Sequence, residues 1–574
     1  MKLTDIIPIT LKKYNVNSVF GLQGGAVVHI FDSLERKGIS VIYTLHEQAA
    51  ALSAVSLARI NGLGCCVTTT GPGSTNAITG LLGAWNDSIP CLFISGQVRS
   101  NHVSYGKKVR QVGTQEAPIC DIVRPITKRS VFLDDPSNFQ EILEELVYVA
   151  TSGRPGPVWL DIPLEFQWID VPFSEQKINP SLSDGILESY SKVFKEFHKY
   201  VEKSEKPLLV LGNGIHLSST ENLCAQFVDN LNIPFVTTWT AQDLFTTDHF
   251  SNLGVIGMSG QKGANKAIYE ADLLICLGTH LSIPHTTTLY SEYAKNSKKV
   301  IVNNDQDQLN NLNIKFDLHL IMDLKEFFDK ALKFNNNVNS DNGWNYPEFK
   351  DLNWYEPATT HLPNSNCWNR ILTQNAPEKS CFVVDGGGTA LYAGFQSTII
   401  SSISQRIICS SGMSSMGTGL AESVGVFQSG KFDKIFCIIG DCSFFMNIQD
   451  LQTIKQLNIP IVISVINNNG QLAIRDTQTS FQESRYYGTH PNWGLTMPSI
   501  ENVSKGFGYE YLKIDTNEEL EKKALIAIAL KIPIVVEILV EEDQPVLFKQ
   551  KYLKNSDGTF SPCDLSDMSS QSFQ

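Results

Sequence analysis

Short apolar runs bounded by Gly and Pro, alternating with helix-like stretches, constrain this chain more than any other feature. "SVFGL", "VIYTL", "GCCVTTT", "CLFIS" and "VWLDIP" occupy roughly the first 170 residues. Runs this short and this uniformly apolar read as strands buried on both faces of a parallel sheet. A second cycle starts at "KPLLVLGNG" and passes through "FVTTW", "LLICLG" and "KVIVNND" to "DLHLIMDLKEFF". A third runs from "CFVVDGGG" through "RIICSSG", "KIFCIIGD" and "IPIVISVINNNG" to "IPIVVEILV". The expected class is therefore α/β, with three doubly wound parallel-sheet domains at 1–172, 190–333 and 355–540. The polar "SEQKINPSLSDG" and the Asn-rich "KFNNNVNSDNGWNYPEF" read as connectors. Residues 541–574 have little periodicity and read as a tail draped over the surface or a lid.

Bulk properties exclude several functions. The formal charge of −13 is dispersed, with no basic stripe, so nucleic acid is not the expected partner. The twelve cysteines include no Cys-x-x-Cys pair, which argues against a zinc ribbon or a disulfide framework and suits a reducing cytoplasm. The N-terminal "MKLTDIIPITLKKYNV" has amphipathic spacing rather than a signal-type core, and no run reaches the roughly 18 to 20 apolar residues of a membrane span.

Ligands of open α/β sheets gather at the carboxyl ends of the strands. One strand of the third cycle ends at Gly440-Asp441, followed by Cys442 and by Ser443 at a helix start; its neighbour ends at Asn467-Asn468-Asn469-Gly470. Positions 441 and 468 are one helix and one parallel strand apart, so both side chains can reach one point. A carboxylate and an amide oxygen are hard ligands of the kind Mg²⁺ takes together with phosphate oxygens. The helix start beyond Asp441 adds free N–H groups for an anion.

Gly-Asp-x, a spacer of nearly thirty residues and Asn-Asn resemble the metal-diphosphate signature of thiamine-diphosphate (ThDP) enzymes. "FGLQGGAVVHIFDSL", "HEQAAALSAVSLAR", "TTTGPGSTNAITGLLGAW", "SGQV", "TQEAPI", "GRPGPVWLDIP" and "MSSMGTGLAESVG" resemble the acetolactate-synthase-like branch, in its order and over nearly the whole chain. The resemblance implies pyrimidine-binding, central and diphosphate-binding domains. It implies Asp441, Asn468 and the Gly470 carbonyl as Mg²⁺ ligands, with Gly440, Cys442, Ser443, Gln471 and Leu472 around the diphosphate. "DGGGTALY" lacks the Gln-His usual there and leaves Gly388, Thr389 and Ala390 to offer mainly backbone donors. Glu47 matches the glutamate that bonds the aminopyrimidine and lets the cofactor act as its own base. Met416, within Ser414-Ser415-Met416, matches the residue that props the bent cofactor; Pro72 and Asn76 face the pyrimidine, and Gln115 lies near the reacting carbon. His46 is expected to be a structural neighbour of Glu47.

The implied activity is ThDP- and Mg²⁺-dependent decarboxylation of pyruvate or a related 2-oxo acid, with transfer of the two-carbon acyl unit to a carbonyl acceptor. Ala473 and Thr477 replace a Met and a Trp of acetohydroxyacid synthases, which opens the acceptor side. "VRQVGTQEAPICDIVRPITK", "GTHLSIP" and "LKNSDGTFSPCDLSDM" are most similar to the subgroup associated with surface-polysaccharide sugars, where the acceptor is a nucleotide-linked keto sugar. A second 2-oxo acid as acceptor, simple decarboxylation, C–C hydrolysis and a noncatalytic role stay open, as does FAD, because "GTHLSIPHTT" lacks the arginines of the branch's flavin sites. In this family the sites lie at subunit interfaces, which implies a homodimer or homotetramer.

Overall fold

The computed structural model describes residues 1–175, 190–333, 343–354, 361–546 and 548–568. Most of the two expected connectors lies outside these residues. Three six-stranded parallel sheets follow one another along the chain, as expected for the three-domain α/β fold. The first contains β1 (Ser18–Gly21), β2 (Ser40–Tyr43), β3 (Gly64–Thr68), β4 (Cys91–Gln97), β5 (Arg129–Phe132) and β6 (Val158–Pro163), in the order β2-β1-β3-β4-β6-β5. The second contains β7 (Pro207–Leu211), β8 (Phe235–Thr237), β9 (Asn252–Val255), β10 (Leu273–Leu277), β11 (Lys298–Asn303) and β12 (Leu318–Ile321), in the order β12-β11-β10-β7-β8-β9. The third contains β13 (Ser380–Val384), β14 (Arg406–Ile408), β15 (Lys434–Gly440), β16 (Ile461–Asn467), β17 (Glu510–Ile514) and β18 (Ile534–Leu539), in the order β14-β13-β15-β16-β18-β17. Strands β3, β4 and β6 are buried along their whole length, which is why their sequences do not alternate.

Two compact units result: Met1–Asp184 with Ser410–Ile435 and Met446–Ile459, and Gly185–Cys409 with Phe436–Phe445 and Pro460–Gln574. The first unit thus recruits two helical segments from late in the chain. The reason is a close helix crossing. The helix Glu47–Asn61 is capped by His46, whose Nδ1 accepts the Gln48 N–H at 3.2 Å. Its small residues let the helix Gly419–Gln428 approach until Ser53 Oγ donates to the Ala421 carbonyl at 2.7 Å and Ser56 Oγ to that of Glu422 at 2.8 Å. Gly425 has no room for a side chain, since a Cβ there would collide with the Ser53 carbonyl oxygen.

In the second unit the tail forms an antiparallel hairpin, Tyr552–Lys554 with Phe560–Pro562, and then buries Leu565 and Met568. Leu565 N–H donates to Tyr269 Oη at 3.1 Å, and Asn265 Nδ2 meets Met568 Sδ at 2.8 Å, so the tail lies on the helix Lys262–Glu270. Among the described residues no helix is long and apolar enough to cross a membrane.

The helix crossing yields a stability prediction. Gly425→Ala forces the Ser53 backbone aside and is expected to cost about 1–3 kcal/mol, read as a lower midpoint of thermal unfolding; an unchanged midpoint would contradict the contact.

Candidate cofactor site

The expected site residues fall into two sets, one in each unit. In the first unit, Glu47 opens its helix and is 7% exposed. Asn76, at the end of the short helix Pro72–Asn76, donates from Nδ2 to Glu47 Oε2 at 3.0 Å. Pro72 stands at the exposed start of the same helix, as a residue without an N–H to lose. Gln115 is exposed and has a positive φ of 64°.

The 410–419 segment is held from two sides. Asp87, paired with the buried Arg59, accepts from the Gly412 N–H at 2.8 Å and from Ser411 Oγ at 3.1 Å. Ser414 has a φ of 46°, and its hydroxyl donates to the Ser411 carbonyl at 2.9 Å. Ser415 and Met416 follow, half-buried. Asn447 completes the arrangement: its Nδ2 donates to the Gly417 carbonyl at 2.7 Å and to Gln48 Oε1 at 3.1 Å. One buried amide therefore joins the neighbours of Met416 and Glu47. Sequence reasoning missed Asn447, although it stands six residues after Asp441 in "GDCSFFMN".

In the second unit, Asp441 follows the end of β15 at Gly440 and is 2% exposed. Its Oδ1 accepts from the Cys442 N–H at 2.7 Å and its Oδ2 from the Gly470 N–H at 2.9 Å. Burial pushes its carboxyl up to about 6, against those two donors and the charge of Arg475, which pull it down. One end of the Asn468 amide lies 3.0 Å from Thr389 Oγ1 and the other lies 2.7 Å from the Gly470 carbonyl oxygen and 3.2 Å from Asp441 Oδ2; with nitrogen at that second position it donates to both, and with oxygen there it faces two other oxygens. Three oxygens with no proton between them need a cation, or else the amide must turn over and donate. Neighbouring oxygens of an Mg²⁺ octahedron lie about 2.9 Å apart, given bonds of about 2.0–2.1 Å. Ser443 Oγ is buried without a hydrogen-bond partner, 2.8 Å from where a Cβ on Gly387 would stand. An orphan hydroxyl at a helix start, beside a cation site, fits a bound diphosphate.

Thr389 meets the Asn468 amide through its hydroxyl. Ala390, two residues into the helix that starts at Gly388, turns its side chain into the apolar core of the third sheet. Gln471 gives its N–H to the Thr489 carbonyl at 3.0 Å, and Leu472 is buried, so both shape the loop. The residue that shapes it most was not foreseen. Arg475, 6% exposed, donates to the carbonyls of Asn468 at 2.9 Å, Thr489 at 3.2 Å, Asn469 at 3.3 Å and Glu542. Gly470 is held there at a φ of 137°, against the Thr489 carbonyl and the Arg475 guanidinium.

The 278–287 segment contains no Arg or Lys, and burial pushes the His285 imidazole down to about 3, so it is neutral beside Trp239. These residues do not supply cations for a dinucleotide's diphosphate.

Comparison with known proteins identifies the three domains. Residues 1–122 match the model of the thiamine pyrophosphate enzyme N-terminal TPP binding domain, 194–331 that of the central domain and 386–538 that of the C-terminal TPP binding domain. The acetolactate synthase large subunit of Cyanidium caldarium is 29% identical over 549 residues, 92% of each chain. That of Lactococcus lactis subsp. lactis is 28% identical over 560 residues, 95% of this chain and 93% of the relative. That of Haemophilus influenzae is 28% identical over 559 residues, 94% and 95%.

Because Arg475 holds the carbonyls on both sides of the oxygen cluster, Arg475→Met is expected to weaken divalent-cation binding by about ten- to a hundredfold. Titration with Mn²⁺ in the presence of ThDP measures this; unchanged affinity would remove Arg475 from the site.

Proposed function

The chain belongs to the thiamine pyrophosphate enzymes and is acetolactate-synthase-like, and from that premise we propose a Mg²⁺-dependent carboligase. It decarboxylates pyruvate or a related 2-oxo acid and transfers the two-carbon acyl unit to a carbonyl acceptor. The meeting of the Asp441 carboxylate, the Asn468 amide and the Gly470 carbonyl at one point supports this reading, since with the amide oxygen turned inward the three would offer a metal and its diphosphate hard oxygen ligands.

Bound ThDP supplies a nucleophilic thiazolium carbon and the amino group that takes its proton. Glu47 does the protein's share of that activation. Asn76 occupies Oε2, so Oε1 is the oxygen that shares a proton with the pyrimidine ring nitrogen. Asp441, Asn468 Oδ1 and the Gly470 carbonyl would hold Mg²⁺, with Thr389 Oγ1 meeting the outer end of the Asn468 amide, and Ser443 would donate to the diphosphate. Met416 props the cofactor, and Gln115 addresses the reacting carbon.

Ala473 is half-buried and Thr477 exposed, so the side that carries a Met and a Trp in acetohydroxyacid synthases is open here. An open wall favours a large, polar acceptor, and a nucleotide-linked keto sugar is the acceptor we assign. The likeness to acetolactate synthase large subunits favours a second reading, in which a second 2-oxo acid is the acceptor. None of the twelve cysteines forms a disulfide among the described residues, which suits a cytoplasmic enzyme. The proposed assembly is a homodimer or homotetramer with sites at subunit interfaces.

Product analysis with labelled pyruvate and candidate keto sugars, aldehydes and 2-oxo acids tests the reaction; release of acetaldehyde alone would replace carboligation with simple decarboxylation. Glu47→Ala is expected to lower turnover by about a hundredfold or more while ThDP still binds; turnover near the wild-type rate would end the role given to Glu47. If sites are shared between chains, co-expressed Glu47→Ala and Asp441→Ala subunits recover about a quarter of wild-type activity through mixed dimers. Recovery of none would place each site within one chain.

A further inference from the structure

Gln97, in the "SGQV" stretch, has no role in the reaction as described, yet it is 1% exposed and spends every valence of its amide. Its Nε2 donates to Asp161 Oδ2 at 2.9 Å and to the Ala117 carbonyl at 3.0 Å. Its Oε1 accepts from Thr70 Oγ1 at 2.7 Å and from the Val98 N–H at 3.0 Å. The partners belong to four different places: the end of β6, the loop two residues past Gln115, the residue before Gly71, and its own strand end.

We propose that Gln97 is a positioning residue for carboligation: with its amide held the right way round by Asp161, it pins the Gln115 loop against the Gly71 turn that adjoins Glu47. This rests on the carboligase reading of Gln115 and Glu47. Thr70 Oγ1 also lies 3.2 Å from the Gln115 carbonyl oxygen. That oxygen presses on Gly71, φ 60°, where any Cβ would collide with it. Two residues on, a Cβ at Gly73 would stand 3.3 Å from Glu47 Oε1. The Gln115 loop, the Gly71 turn and the Glu47 carboxylate are thus in successive contact, and Gln97 clamps the first two together.

An amide can sit in either of two orientations, and one-way partners fix which: the Val98 N–H at Oε1, and the Ala117 carbonyl and Asp161 at Nε2. Asp161, wholly buried, is the side-chain partner among them; its Oδ1 takes the Ser95 hydroxyl at 2.6 Å, and Ser95 Oγ in turn accepts from Trp159 Nε1 at 2.8 Å. Burial pushes the Asp161 carboxyl up to about 7, against the Ser95 and Gln97 donors. Protonation does not undo the arrangement, because the protonated oxygen can donate to Ser95 Oγ while the other still accepts from Gln97. The substitution Asp161→Asn preserves the same pattern, with an amide oxygen toward Gln97 and an amide nitrogen toward Ser95 Oγ. Asp161→Leu removes it.

Hydrogen exchange of the 112–119 segment in the full-length protein tests the clamp without reference to activity. Gln97→Met, and the milder Thr70→Val, are expected to speed exchange there about five- to tenfold, the factor set by one net hydrogen bond. Asp161→Asn is expected to match wild type and Asp161→Leu to match Gln97→Met. Wild-type exchange in both Gln97→Met and Thr70→Val, or Asp161→Asn behaving like Asp161→Leu, would overturn the clamp. A second measurement, with pyruvate as donor and the acceptor that the product analysis identifies, separates ligated product from acetaldehyde. Thr70→Val is expected to shift the products toward acetaldehyde with ThDP affinity unchanged. An unaltered product ratio would overturn the catalytic half of the proposal. A wild-type enzyme that consumes no 2-oxo acid would instead defeat the carboligase reading and leave the exchange result to decide the clamp.

Discussion

The crossing of the helices Glu47–Asn61 and Gly419–Gln428 is the constraint on which the first half-site depends. It joins segments almost 370 residues apart through two serine hydroxyls that donate to backbone carbonyls of the other helix. Such bonds require backbones in near contact, and only Ala, Ser and Gly at the crossing allow that. The alanine-rich run around Glu47 is therefore a packing surface first. The carboxylate sits at its start because the crossing fixes the helix axis and His46 fixes where the first turn begins. Asn447 and Asp87 then bring the Met416 segment into register with that start.

The diphosphate half-site follows a different logic. Strand ends β15 and β16 set Asp441 and Asn468 close together, but only the orientation of an amide and a carbonyl turns that neighbourhood into a cation site. Thr389 meets the amide and Arg475 holds the carbonyl loop. Both act through residues they do not adjoin in sequence. In each half-site the groups proposed to meet the cofactor are thus held by polar side chains from elsewhere in the chain.

This explains which features were legible in the sequence. The three sheets could be read because buried parallel strands have an unmistakable apolar composition, and Asp441 and Asn468 because a strand end is a place the chain itself marks. Residues such as Arg475, Asn447 and Gln97 were not legible: their partners are backbone carbonyls, which look the same at every position of a sequence. Nothing local shows that the Thr389 hydroxyl faces an amide 79 residues away, or that the Ala390 side chain joins the core, since the phase of a helix at its first turn depends on how the preceding loop delivers it.

The interleaving of the first unit has a consequence for biosynthesis. The small-residue face of the Glu47 helix is translated early, yet the helix that covers it ends at Gln428, some 240 residues after the N-terminal segment of that unit is complete. At about 5–20 residues per second, that face waits roughly ten to fifty seconds for its cover while the ribosome makes the central domain. A surface of alanines and serines is well suited to such a delay, because it leaves little apolar area for a wrong partner to grip. The residue sizes that permit the close crossing in the finished enzyme also make its unfinished form safe to expose.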